Sequence, residues 1–167
     1  MAKKTSKLTS GEKSNITRWF HNGMSVLEIS EKVNVTTTLI KHRINMTLAK
    51  DCEDLWKDIL KRRSGGVCEI TKKDGIVHCH HLLEKGAFPK FRYDLNNGIV
   101  LHESIHEFGV TYSPHYSSSS RENFRLWLIA HKLDQYDWWD MNRENKKFVK
   151  LDLYQVYDEL KEVWDNG

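Results

Sequence analysis

From Leu8 to Met46 the apolar residues recur at helical spacing in three short pieces. Ile16, Trp19 and Phe20 predict a first helix, with Thr9 or Ser10 able to cap it, and Asn22-Gly23 signals the turn that ends it. Ser25 caps a second, short helix carrying Val26, Ile29 and Val33, and Glu28 stands where a capping box needs an acceptor. After Asn34-Val35, Thr36 caps a third piece whose apolar side is Leu39, Ile40 and Ile44. Residues 47–64 predict a connecting helix with Leu48, Cys52, Leu55, Trp56 and Ile59 on one side, broken by Ser64-Gly65-Gly66.

The pattern then changes. Val67–Ile70 and Ile76–His80 are short β-prone runs on either side of Lys73-Asp74-Gly75, which predicts a β-hairpin. A loop through Gly86 and Pro89 leads to a further extended run, Gly98–Leu101, and Ser104 to Phe108 begins another helix. Beyond the serines at 117–120, Phe124, Trp127, Leu128 and His131 fall on one helical face. Val149, Leu153, Val156, Leu160 and Val163 step by four and three, a packing pattern. The Trp138-Trp139 pair reads as packing too, although exposed tryptophans can stack on bases. There is no internal repeat. The prediction is an α+β chain in four parts: helical residues 1–46, a connecting helix over 47–66, a mixed module over 67–117 and a helical region over 118–167.

Composition narrows the class. At 39% hydrophobic and 29% charged, with two prolines in 167 residues, the chain reads as a soluble globular protein. No run approaches the roughly 20 apolar residues that span a bilayer, so no membrane partner is expected. The first eight or so residues are polar and basic, predicting a mobile tail. Because no apolar stretch follows Met1-Ala2-Lys3-Lys4, the expected location is the cytoplasm. A net charge of +3 suits a polyanionic partner without demanding one. Three cysteines, Cys52, Cys68 and Cys79, lack Cys-x-x-Cys spacing, which argues against a disulfide framework and excludes a four-cysteine zinc site.

Histidine changes the picture most. Of nine histidines, six fall between His78 and His115. Imidazole is the commonest transition-metal ligand and suits proton transfer near neutral pH. His80 and His81 end a strand, where successive side chains point to opposite faces, so one ring can face a metal and the other a substrate. His106, at the start of a helix, can close the site from the other side. Single histidines such as His21, His42 and His131 read as surface or hydrogen-bonded side chains. His78 and His115 are ambiguous, His115 being able to touch phosphate.

Two resemblances follow from these residues. The run Gly23-Met24-Ser25-Val26 through Val35-Thr36 resembles the register of helix-turn-helix DNA-binding domains. That resemblance implies Thr37, Thr38, Lys41, His42 and Arg43 on the side of the third helix that faces a major groove. The His80-His81 pair, Asn97-Gly98 before a short apolar strand, and His106 nine positions after Asn97 resemble the HNH (ββα-metal) endonuclease motif over about Cys68 to His115. The wording Arg92-Tyr93-Asp94-Leu95-Asn96-Asn97-Gly98-Ile99 is similar to phage-borne members, and Phe124 to Asp140 resembles their helical tail.

The resemblance implies that His80 and His106 ligate the metal, that His81 is the general base, and that Asn97 holds the loop that aims the base. The implied reaction is hydrolysis of a DNA phosphodiester to a 5′-phosphate and a 3′-hydroxyl, with one divalent ion stabilising charge. Nicking is the default for a single site, and the partner is double-stranded DNA. The same likeness implies a phage or mobile-element origin, of the homing type, with action in the host-cell cytoplasm. Mg²⁺ or Mn²⁺ is the expected ion, with Zn²⁺ or Ni²⁺ as alternatives because two imidazoles favour transition ions. Many relatives carry two Cys-x-x-Cys pairs, whereas here Cys68, Thr71, His102 and Ile105 stand at those places, so no structural zinc is expected. His102, four positions before His106, is a candidate third ligand if both share a helical face, though a strand end suits it better. Lys85, Lys90 and Arg92 in the intervening loop are candidates to clamp the phosphate backbone. Two other functions fit the same residues: a non-catalytic DNA-binding regulator with a structural metal site, and a nuclease acting on RNA or branched DNA.

Overall fold

A computed structural model describes residues 7–106, 109, 111–146 and 148–167. The expected mobile tail therefore lies almost wholly outside the described residues, as do Glu107 and Phe108 at the end of the helix expected over 104–108.

Local signals set the first three helices. Helix α1 (Ser10–His21) starts on Thr9 and α2 (Val26–Lys32) on Ser25, each in a capping box with the glutamate three positions on. Helix α3 (Thr37–Ser64) starts on Thr36 and stops at Gly65, whose φ of 69° is the left-handed conformation that glycine adopts freely. The connecting helix expected over 47–64 is no separate element: the expected border at 46/47 falls inside α3. Residues 45–47 contain no glycine or proline, and the buried ladder Ile40, Ile44, Leu48, Cys52, Trp56 and Leu60 runs through them in steps of four. Each such step advances about 40° around a helix of 3.6 residues per turn. The apolar stripe therefore winds around α3. Its first half packs with Ile16, Ile29 and Val35, and its second half with Tyr93 and Val100. One rod thus serves two cores.

The α+β expectation holds in its coarse form: among the described residues the chain has seven α-helices and one small antiparallel sheet. Strands β1 (Val77–His81) and β2 (Gly98–His102) pair with His80 opposite Ile99 and His81 opposite Gly98. The hairpin predicted around Lys73-Asp74-Gly75 does not form. Lys72 (φ 59°) and Gly75 (φ 108°) fold the Val67–Ile70 run back on itself, with the Cys68 N–H donating to the Lys73 carbonyl. The partner of β1 is β2, across a loop over 82–97.

The sheet lies between two helical layers. Val77, Cys79 and Val100 face α3, whereas Ile99 and Leu101 pack on Phe124 and Leu128 of α5 (Ser118–His131). Gly98 lets α3 approach: a Cβ there would lie 2.2 Å from Leu60 and 2.7 Å from Trp56. Polar groups complete the join. Buried Glu69 accepts the Val100 N–H at 3.0 Å and pairs with Lys132 and Arg63, and Gln135 of α6 (Leu133–Asn142) donates to the carbonyls of Asn96 and Gly98. Trp138 packs on Phe91, and both tryptophans of the pair lie against the Leu83, Phe88 and Phe91 cluster. The last helix, α7 (Leu153–Asn166), capped by Asp152, lies along α3, and its Leu153 and Tyr157 touch both cores. The predicted packing stripe is therefore shorter at both ends, since Val149 lies before the helix and both Val149 and Val163 are exposed.

Candidate functional site

Alternation along β1 puts His78 and His80 on one face of the sheet and Cys79 and His81 on the other. Helix α4 (Glu103–His106) follows β2 directly and carries His106 back over the first of these faces. There His80, His106 and His115 converge, each offering a ring nitrogen within 4.8 Å of the others. Their ring centroids lie 4.9–5.2 Å apart. Ser113 ties the third member in: its hydroxyl donates to the His106 carbonyl at 3.2 Å and accepts the His115 N–H at 3.1 Å.

Three imidazoles so placed fit a metal ion. A ligating histidine must be neutral. Burial, reinforced by the nearby His115 and His106 rings, pushes His80 down to about 3, so it holds no proton at neutral pH. Three uncharged nitrogen donors suit transition ions better than Mg²⁺, which prefers oxygen. His102 is not in the group. Its Nδ1 accepts from the Ser104 hydroxyl at 2.8 Å and the Ser104 N–H at 3.2 Å, because it ends β2 instead of lying on the helical face of His106. The third histidine is His115, missed as a ligand because a nine-residue gap from His106 has no helical or strand period. The His78 ring, also left ambiguous, stacks 5.4 Å from His106.

Across the sheet, His81 stacks on Trp56 of α3, centroids 4.2 Å apart and planes 12° from parallel. Its Nε2 lies 2.9 Å from the Arg92 carbonyl. A carbonyl oxygen only accepts, so Nε2 carries the proton of the neutral ring and Nδ1 keeps the basic lone pair. Burial lowers the pKa of His81, against the opposing pull of the Arg92 carbonyl and Glu53, which favours that neutral ring. Asn97 is wholly buried and staples the loop over 82–97. Its Oδ1 accepts the Leu83 N–H at 2.6 Å, and its Nδ2 donates to the carbonyls of Leu83 and Phe91 at 3.1 and 2.9 Å.

His81 and His106 line a common groove of about 340 Å³ with His78, Glu53, Lys57, Lys61 and Lys85. Of the loop cations, Lys85 and Arg92 turn to Glu53 of α3, joined there by Lys57. Lys90 sits apart, over the Phe91 ring. Glu53, Lys57 and Trp56 went unseen as site residues because they lie on α3, far upstream of the histidines in sequence. On the first turns of α3, Thr38, Lys41 and His42 are exposed, whereas Thr37 and Arg43 are half-buried and present less of their side chains. Cys68, at the first of the four positions considered for zinc, is buried, and its sulfur accepts the Thr71 N–H at 3.5 Å.

Compared with known protein families, curated proteins and solved structures, the chain matches none. No helix among the described residues is long and apolar enough to cross a membrane.

Proposed function

We propose that this protein is a divalent-metal-dependent HNH-type endonuclease that hydrolyses phosphodiester bonds of DNA. The observation that carries this reading is the histidine group His80, His106 and His115 on one face of β1, with His81 on the other and a basic groove reaching both His81 and His106. Held by His80, His106 and His115, a divalent ion would supply positive charge for the phosphate and for the leaving oxygen.

The remaining work falls to side chains of this chain. His81 takes a proton from the attacking water at Nδ1, while the Arg92 carbonyl on Nε2 holds the tautomer and the stacked Trp56 holds the ring plane. The water oxygen bonds to phosphorus, the bond from phosphorus to the 3′ oxygen breaks, and that oxygen takes a proton from solvent water, giving a 5′-phosphate and a 3′-hydroxyl. Asn97 acts at a distance by fixing the loop that carries Arg92. Thr38, Lys41 and His42 are the exposed side chains of α3 that would meet a duplex in a helix-turn-helix mode.

Supercoiled plasmid incubated with the protein and Mg²⁺, Mn²⁺, Ni²⁺ or Zn²⁺ is expected to be nicked. His81→Ala should cut at least about a hundredfold more slowly while metal affinity stays near the wild-type value. Plasmid left intact with every metal, or wild-type cutting by His81→Ala, overturns the assignment.

A further inference from the structure

Glu53 is an acid inside a basic site. Among the described residues its carboxylate is the only one lining the groove beside His81, and both of its oxygens meet cations. Lys57 and Lys85 stand 3.4 and 3.6 Å from Oε1, and the Arg92 guanidinium reaches Oε2 through Nε at 3.3 Å and a terminal nitrogen at 3.2 Å. The three cations come from two places, Lys57 from α3 and the other two from the loop over 82–97. Three positive groups against one carboxylate leave an excess of positive charge, to which Lys61 in the same groove adds. The cations keep roughly a third to a half of their surface open, while the Glu53 side chain is 14% exposed. Burial alone would favour a neutral carboxyl, yet Lys85, Lys57 and Arg92 hold Glu53 below the usual carboxylate range, so it is an anion at neutral pH.

We infer that Lys57, Lys85 and Arg92 form a phosphoryl-binding subsite next to His81, in which the Glu53 carboxylate stands in for the phosphate and keeps the three cations gathered. This deepens the nuclease reading and rests on it for the identity of the phosphate as nucleic-acid backbone. A carboxylate offers two oxygens on one side of a carbon, whereas a phosphoryl group offers more acceptors, and arginine binds it in the fork geometry already turned toward Glu53. Partly exposed ion pairs are weak, so an arriving phosphoryl group can take the cations over. Glu53 is then a positioning residue that weakens binding by its charge and organises it by its shape. Glu53→Gln keeps the shape and removes the charge.

The test uses the full-length, ¹⁵N-labelled protein without metal, following the Arg92 Nε–H resonance during titration with inorganic pyrophosphate and, separately, with a short DNA duplex. Saturable shifts are expected with at least one of the two. Glu53→Gln should bind about tenfold more tightly and Lys57→Ala about tenfold more weakly, with Lys57→Gln as a second variant that keeps the stem. A response at lower concentration for duplex identifies backbone phosphate as the ligand, and the reverse identifies free phosphate; either supports the subsite. An Arg92 resonance unmoved by both probes in wild type and in Glu53→Gln overturns it. Because no cutting and no metal are involved, plasmid nicking with an unmoved Arg92 sinks the subsite alone. Arg92 shifts without nicking under any metal sink the nuclease reading alone.

Discussion

Around Ile16, Ile29 and Ile40 the chain is held by apolar contacts between helices whose starts are capped by neighbours three residues away. Around His80 and His81 the strands are five residues each, and much of the holding is done by polar side chains reaching far along the sequence. Asn97 binds Leu83 and Phe91, Trp56 donates to the Asp94 carbonyl, Tyr93 to that of Ala49, and Arg63 to those of Leu95 and Gly98. The contrast teaches where each region is vulnerable. A cap in the helical region is one of several redundant supports, whereas a buried amide in the centre carries three bonds at once. It also fits the work proposed for each part, since a proton-accepting ring must be held in one orientation and a packing face need not be.

Breaking the centre at Asn97 gives the largest expected effect. Asn97→Ala leaves the Leu83 N–H and the Leu83 carbonyl without that partner, and the Phe91 carbonyl with the Asp94 N–H alone, costing about 4 kcal/mol in urea unfolding at roughly 1–3 kcal/mol per stranded group. A loss below about 1 kcal/mol would mean that water replaces the amide and that the loop is not held as described. Metal binding sharpens the comparison next. Zn²⁺ at a hundredfold excess over its dissociation constant should stabilise the protein by about 2.7 kcal/mol, seen as a rise in Tm. His115→Ala should abolish that rise and His102→Ala should keep it. The opposite pattern would move the third ligand to His102. The smallest effect belongs to the helical region: Ser25→Ala removes one side of a capping box, at about 1 kcal/mol and with no change in the zinc-induced rise.

The helical region was legible because its signals are local. Thr9, Ser25 and Thr36 cap the helices they were expected to cap, and Glu28 completes its box. The run through residue 46 was less legible, since continuing α3 depends on a second core that the stripe reaches only after winding around the helix. Val67–Ile70 has strand composition but is turned back by Lys72 at positive φ, a conformation that residue type does not announce.

Sequence by itself determined the starts of the first three helices, the extended runs at 76–80 and 98–101 that became β1 and β2 within a residue, and the alternation that parts His80 from His81, because each depends on neighbours within a few residues. Tertiary structure alone decided that β1 pairs with β2, that His115 and not His102 joins His80 and His106, and that Trp56 and Glu53 of α3 stand beside His81. Those choices rest on how the 82–97 loop closes, which leaves no periodic mark in the chain, and on which partners meet each half of the winding stripe of α3, which the stripe itself does not name.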